Sequence, residues 1–340
     1  SPLFLPFVLG ALTMDESDSD GCSFCSLAMW GIGIAILLFI LRKWFKGGQF
    51  TEQVSAEGLV VAVTGANAGI GLETVRELNL RGARVYMLCR SEERANEAKV
   101  KLVRMGCNAT RLIFQQCDLS KFASIRECAK RLRKEEHHLD ILVNNAGIFF
   151  YPKHDLTEDG HEMTWQSNHL GPFLLTELLL PMIERAEEGR IVNVSAKLHE
   201  QVSHLDLATI DDKKDFGRLA AYNRSKLANI MHARELTRVL RAKGNATVTV
   251  NSLHPGVFSS EIMRHLGFIR IIHKILGAFF MKTERDGAQT SLYLALSKKV
   301  KGVSGCYFSD CARTTESAAA LDDLACKQLY DYSRKAVGLE

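Results

Sequence analysis

The sequence has almost no surplus of either charge: 43 Lys and Arg stand against 39 Asp and Glu, a net charge of +4 over 340 residues. Nucleic-acid binders gather basic residues on one face or stripe. The only basic cluster here is a short run after residue 41, so no nucleic-acid partner is expected. The nine cysteines are odd in number and scattered from Cys22 to Cys326, unlike the dense framework of a small secreted scaffold, which indicates a reducing compartment. Cys22 and Cys25 form a CxxC with no second pair and no βαβ context, which supports neither zinc nor thioredoxin-type redox chemistry. They read as small apolar residues entering a membrane, with reversible palmitoylation as the alternative. The eleven histidines show no HExxH or related spacing, and no metal is expected. Internal repeats and low-complexity tracts are also missing. With 46% of its residues apolar, the chain is not disordered, and its length allows one large α/β unit or two small domains.

What is present begins with residues 21–41, GCSFCSLAMWGIGIAILLFIL, which carry no charge. At about 1.5 Å per residue, such a helix crosses a hydrocarbon core of about 30 Å. Asp15, Glu16, Asp18 and Asp20 precede it, and Arg42, Lys43 and Lys46 follow it, with Trp44 suited to the headgroup zone. The basic side is expected in the cytosol. A cleaved signal peptide would place its basic region first. The run from Leu3 to Leu12 is too short to span and contains Pro6. The chain opens on serine and Met14 directly precedes the acidic stretch, so residues 1–13 are not assigned to the natural product. The expected organisation is a tail over 1–20, an anchor over 21–41, a basic segment and linker over 42–57 starting its polar part with two glycines, and one catalytic domain over 58–340.

From Leu59 the run LVVAV suits a strand buried on both faces, and it leads straight into TGANAGIG and a helical pattern. In this strand, glycine turn and helix, Gly65 permits the tight turn, Gly69 lets backbone approach a pyrophosphate, and Gly71 lets the helix pack on the sheet. The helix N-terminus faces the anion. Asn67 and Ile70 belong to the same candidate cofactor loop. A second strand, Arg84 to Cys89, ends about 20 residues on, where the adenosine ribose is expected. An acidic residue there would bind the ribose hydroxyls of NAD. This chain has Cys89 and Arg90, with no carboxylate until Glu92. A guanidinium fork matches a 2′-phosphate, which favours NADP(H); the alternative is a surface arginine at a strand end.

Further strand-like runs at 112–117, 141–144, 191–194 and 247–251 alternate with helical stretches. This predicts a Rossmann-type doubly wound parallel sheet of about seven strands, with ligands at the carboxyl ends of the strands. Asp118 and Leu119 fall after the third strand, Asn145, Ala146 and Gly147 after the fourth, and Pro255 and Gly256 after the sixth, all as candidate cofactor contacts.

Tyr222 and Lys226 lie four apart in a helical stretch and share a face. Most pairs at this spacing are ordinary helix-surface neighbours. A carbonyl reduced by hydride needs a proton on its oxygen, and a phenol of pKa about 10 delivers one near neutrality only if its anion is stabilised. Lys226 supplies positive charge for that purpose, is expected to lower the Tyr222 pKa, and can hydrogen-bond the nicotinamide ribose.

The order and spacing of TGANAGIG, NNAG, Asn168, YNRSK and the Pro255–Gly256 turn resemble the short-chain dehydrogenase/reductase family over most of the chain. SNHLG, YNRSKLANI, LHPG, GAQTSLYLA and SGCYFSDC further resemble its membrane-anchored retinol dehydrogenases, which reduce retinal with NADPH. The resemblance implies that Tyr222 is the proton donor and acceptor with Lys226 as its partner. It also implies that Asn168 holds a water in a proton relay, and that Asn145, Ala146 and Gly147 line the adenine ribose. It implies an apolar, retinoid-like substrate, with steroids and fatty aldehydes open, and a single-pass setting in the endoplasmic reticulum membrane facing the cytosol; a homo-oligomer stays open. The sequons at Asn193 and Asn223 beside the site agree with that side of the membrane.

One position departs from the family. Its catalytic serine commonly occupies the second place of a Ser-Ser pair, and this chain has Ser195 followed by Ala196. Either Ser195 substitutes through a one-residue shift or the enzyme is slow, since one lost donor to developing charge costs about 2 to 4 kcal/mol. A cofactor-binding membrane protein with little turnover is the competing reading. Residues 262–282 are apolar with Arg264, Arg270, His273 and Lys274 interspersed, resembling an interfacial helix over the substrate site, or else a core-packed helix pair.

Overall fold

The computed structural model describes residues 21–256 and 282–339. The chain divides into two units, residues up to 45 and residues from 46 onward. In the first, helix α1 runs over Gly21–Lys46. Its described side chains begin at Met29, and those from Met29 to Ile40, Trp30 and Phe39 among them, are exposed and apolar. Among the described residues no helix is long and apolar enough to cross a membrane.

The second unit is built on a sheet of order β3-β2-β1-β4-β5-β6-β7-β8. Its strands are β1 (Val60–Thr64), β2 (Arg84–Cys89), β3 (Leu112–Gln116), β4 (Ile141–Asn144), β5 (Arg190–Val194), β6 (Thr249–His254), β7 (Tyr307–Ser309) and β8 (Ala312–Thr314). All pairings are parallel except β7 with β8. The expectation of about seven parallel strands is therefore corrected to eight strands, the last an antiparallel edge. The order reverses between β1 and β4, and that reversal opens a crevice at the carboxyl ends.

Alternation along β1 shows how both faces are covered. Val60 and Ala62 enter one core, Val61 and Val63 the other. The second core is closed by α2 (Gly69–Leu80), α3 (Glu92–Arg104) and α8 (Glu284–Leu296), through Val75, Leu102 and Leu292. The first is closed by α4 (Phe122–Glu135), α6 (Gly171–Ile183), α7 (Arg218–Ala242) and α10 (Asp323–Ala336), through Ile125, Phe173, Leu227 and Leu329. Two short pieces complete the unit, α5 (Met163–Trp165) and α9 (Ala318–Leu321). A π-helical turn, Gln166–Leu170, joins α5 to α6. Trp165 and Phe173 on either side of it are fully buried; truncating such a ring to alanine costs about 3–5 kcal/mol.

The segment expected to be a linker up to residue 57 is instead part of this unit from Lys46 onward. Phe50 and Ala56 are buried in the second core. Arg81 donates to the carbonyls of Glu52 (2.9 Å) and Val54 (3.2 Å), and Gln289 Oε1 accepts from the Phe50 amide at 3.0 Å. The seven described cysteines are all free thiols. Residues 262–281 and the tail over 1–20, with their expected interfacial and terminal roles, lie outside the described residues.

Candidate active site

Thr64 ends β1, and the loop after it is shaped by glycine. Gly65 and Gly69 have φ of +65° and +58°, a region that side chains with a Cβ seldom adopt. A Cβ on Gly71 would collide with the Gly65 carbonyl and the Asn145 amide, so only glycine lets α2 start this close to the turn. Around Gly69, by contrast, the nearest atom to an added Cβ is Glu284 Oε1 at 4.0 Å. Ala68, the N-cap of α2, offers no side-chain cap. The first amides of α2 therefore have no side-chain cap, and the space beside Gly69 is clear, the arrangement that holds a phosphate. These residues fit a dinucleotide: a backbone cradle with room for the pyrophosphate.

Arg90 follows β2, is exposed, and makes no ion pair among the described residues. Ser91 caps α3, its side chain accepting from the Arg94 amide at 3.3 Å, so the chain turns away just after Arg90. Asp118 folds its carboxylate back on Ser120, accepting from its amide (3.0 Å) and hydroxyl (2.7 Å). Leu119 is buried against Gly171. The loop of Asn145, Ala146 and Gly147 is fastened to Thr64. Thr64 Oγ1 accepts from the amides of Asn145 and Ala146, both at 2.9 Å, and Asn145 Nδ2 donates to the Thr64 carbonyl at 2.9 Å. At the end of β6, Pro255 leads into Gly256, whose φ of +94° favours glycine and whose α-carbon lies against the Lys282 side chain.

Helix α7 brings Tyr222 and Lys226 to the same crevice. Lys226 is 3% exposed, its Nζ donates to the Val194 carbonyl at the end of β5 (2.9 Å), and it stands 5.4 Å from the centre of the Tyr222 ring. A Cβ on Gly147 would lie 3.2 Å from that Nζ. Among the described residues, the Tyr222 hydroxyl has no hydrogen-bond partner. Burial brings the Lys226 ammonium down to about 8. It also pushes the Tyr222 phenol up, away from the expected acidified phenol, and withdrawal from water is the cause.

Asn168 sits in the π-helical turn, a geometry often found at functional sites. Its Oδ1 accepts from the Ile148 amide (2.7 Å), and its Nδ2 donates to the Ile148 carbonyl (2.9 Å) and to Ser225 Oγ (3.0 Å). It joins the loop after β4 to α7 directly. Both protons of its amide are used by protein partners.

Residues 59–267 match the family described as short chain dehydrogenase. The chain belongs to that family. Retinol dehydrogenase 11 of Homo sapiens is 42% identical to it over 299 residues, covering 88% of this chain and 92% of that protein. Retinol dehydrogenase 14 of Mus musculus is 40% identical over 320 residues, covering 89% and 94%. A crystal structure of an uncharacterised protein from Mycobacterium Paratuberculosis superposes with a TM-score of 0.69 at 28% identity, covering 86% of this chain and 98% of that one. This is an oxidoreductase fold of the retinol dehydrogenase-like kind.

In this short-chain dehydrogenase, Ser195 is 1% exposed and gives its hydroxyl proton to the Lys226 carbonyl at 2.6 Å. Its neighbour Ala196 is buried, with its carbonyl accepting from the His199 ring at 2.8 Å. Three contributors lie within motifs quoted from the sequence but were given no role there. Thr64 organises the Asn145 loop; Ser225 bridges Asn168 to the Tyr222 carbonyl (2.7 Å); Asn144 ties β4 to β5 by donating to Asn193 Oδ1 (2.9 Å). The signal for Ser225 was present, since a residue three after Tyr222 lies on nearly the same helix face.

Proposed function

We propose that this short-chain dehydrogenase is an NADP(H)-dependent reductase of retinal or a related apolar carbonyl compound, able to run as a dehydrogenase when the nucleotide ratio demands it. The observation that carries the reading is the Tyr222 and Lys226 pair on one face of α7, at the carboxyl ends of the sheet and beside an open glycine cradle. The bound dinucleotide supplies the hydride. The chain does the rest: Tyr222 delivers its phenolic proton to the carbonyl oxygen, and the resulting phenolate is stabilised by the Lys226 ammonium. Two Lys226 protons remain after the bond to Val194, available to a ribose hydroxyl and to the phenol side. Asn168 holds the loop after β4 and α7 in register, which keeps Gly147 against Lys226. Asn145, Ala146 and Gly147 line the adenosine side, and Arg90 takes the 2′-phosphate, a reading supported by its exposure and its lack of a competing carboxylate.

The apolar substrate is supported by the retinol dehydrogenases among the relatives. A membrane setting is supported by the uncharged residues 21–41 on α1, with the basic residues after them indicating a cytosolic catalytic unit, at the endoplasmic reticulum. A second reading, a nucleotide-binding protein with little turnover, is favoured by one observation: Ser195 is tied to α7 and Ala196 has no hydroxyl. One assay separates them. Purified protein in detergent is mixed with NADPH and all-trans-retinal, and loss of the nicotinamide absorbance is followed. Turnover that disappears in Tyr222→Phe supports the reductase. Tight nucleotide binding with no turnover of retinal, steroid ketone or fatty aldehyde supports the low-turnover reading instead.

A further inference from the structure

Arg218, Tyr222 and Lys226 recur every four residues on α7 and so share one face. The segment after β4 lies along that face and completes a continuous stack. From the buried end, Lys226 Nζ stands 5.4 Å from the Tyr222 ring centre. The Tyr222 ring meets Phe149 edge-on at 4.7 Å. Phe149 stacks on Phe150 at 5.8 Å, with the planes 26° apart. The Arg218 guanidinium lies 5.6 Å from the Phe150 ring centre. A cation at each end brackets three rings, running from a buried ammonium to an exposed guanidinium.

The outer end of this stack is imposed at a cost. Phe150 has φ of +55°, a left-handed conformation that a bulky side chain avoids, and the residue is 47% exposed. Such outliers persist where neighbouring structure over-determines them, and they concentrate at ligand sites. Here Asn168 fixes Ile148 through two hydrogen bonds, so Phe149 and Phe150 start from a set point. The guanidinium then holds the Phe150 ring by its negative face.

We propose that Phe149, Phe150 and Arg218 are specificity-determining residues, an aromatic rail that leads from solvent to the phenol and selects flat, extended, conjugated carbonyl compounds over short saturated ones. This rests on the reductase reading above. A conjugated chain with its carbonyl at Tyr222 lies across the Phe149 and Phe150 rings and covers apolar surface that water otherwise touches. A short saturated aldehyde reaches the phenol and nothing beyond it.

The test compares all-trans-retinal with butanal, using full-length protein in detergent with NADPH. Phe150→Gly should raise KM for retinal about tenfold, leave kcat within about twofold, and leave kcat/KM for butanal unchanged. Its melting temperature should not fall, because glycine adopts the left-handed backbone freely. Arg218→Ala should raise the retinal KM about threefold, with recovery in Arg218→Lys. Phe149→Leu, which keeps apolar bulk, should show the same split between the two substrates. If a stable Phe150→Gly leaves the retinal KM unchanged, or if retinal and butanal decline in parallel, the rail is overturned while the reductase reading stands. If the unaltered protein reduces neither carbonyl, the reductase reading falls and the rail with it.

Discussion

Ser195 donates its hydroxyl to the backbone carbonyl of Lys226, 2.6 Å away, so this candidate catalytic serine serves as a strut between the end of β5 and α7. A donated proton is not available to a substrate oxygen, and the next position, Ala196, has none to offer. The two positions therefore respond differently to change. Ser195→Ala removes one buried hydrogen bond to a carbonyl that α7 already pairs within the helix, and should lower stability by about 0.5–1.5 kcal/mol, read from the denaturation midpoint. Ala196→Ser adds a hydroxyl where the family commonly has one. It should raise kcat for retinal by tenfold or more, up to about 10²–10³. An unchanged kcat in a folded Ala196→Ser protein would show that the site does not need that donor.

Tyr222→Phe removes one oxygen from a side chain whose hydroxyl has no described partner, so the fold loses no internal hydrogen bond. Turnover should fall by roughly 10²–10⁴, while the NADPH dissociation constant stays unchanged. Weakened nucleotide binding on titration would place Tyr222 in the cradle rather than at the reacting carbonyl.

Arg90→Ala should weaken NADPH by about 10–100-fold, the worth of charge-assisted hydrogen bonds to a phosphate, and NADH by little. Binding titrations with both nucleotides decide it. Equal losses for the two would mean that Arg90 does not meet the 2′-phosphate.

The burial of Lys226 has a pH signature. Its ammonium is brought from the ordinary 10.5 to about 8 in the folded chain. Since kcat/KM for the nucleotide reports the free enzyme, it should fall as pH rises through about 8 and the charge is lost. Between about 8 and 10.5 the unfolded chain binds more protons than the folded one, so stability rises with pH across that window. Below about 8 the burial penalty is present in full. Melting curves of the protein and of Lys226→Met across this range should converge toward high pH. A flat difference would contradict a charged, buried Lys226.

Much of the cofactor side was legible in the sequence because it is local. The expected strands at 84–89 and 141–144 coincide with β2 and β4, and TGANAGIG places its glycines where the backbone requires them. That Tyr222 and Lys226 share a face follows from helical spacing, while their pairing as proton donor and partner came from the resemblance to the family. Other features depend on contacts between distant residues. β7 and β8 are three residues each, too short for alternation to show. The docking of Phe50 on Gln289 joins positions that nothing local relates. The rise of the Tyr222 phenol comes from burial that Phe149 helps to create, so neighbour charge alone gave the wrong direction. The π-helical turn at 166–170 follows no short-range pattern that would have distinguished it from ordinary α-helix.

The stretch from Lys46 to Glu57 sets where this enzyme can be cut. Trimming at residue 58, as its polar composition invites, would strip two acceptors from Arg81 and uncover the flank that Phe50 and Ala56 shield. A fragment meant to dispense with the preceding helix should keep everything from Lys46 onward, because these twelve residues belong to the folded second unit.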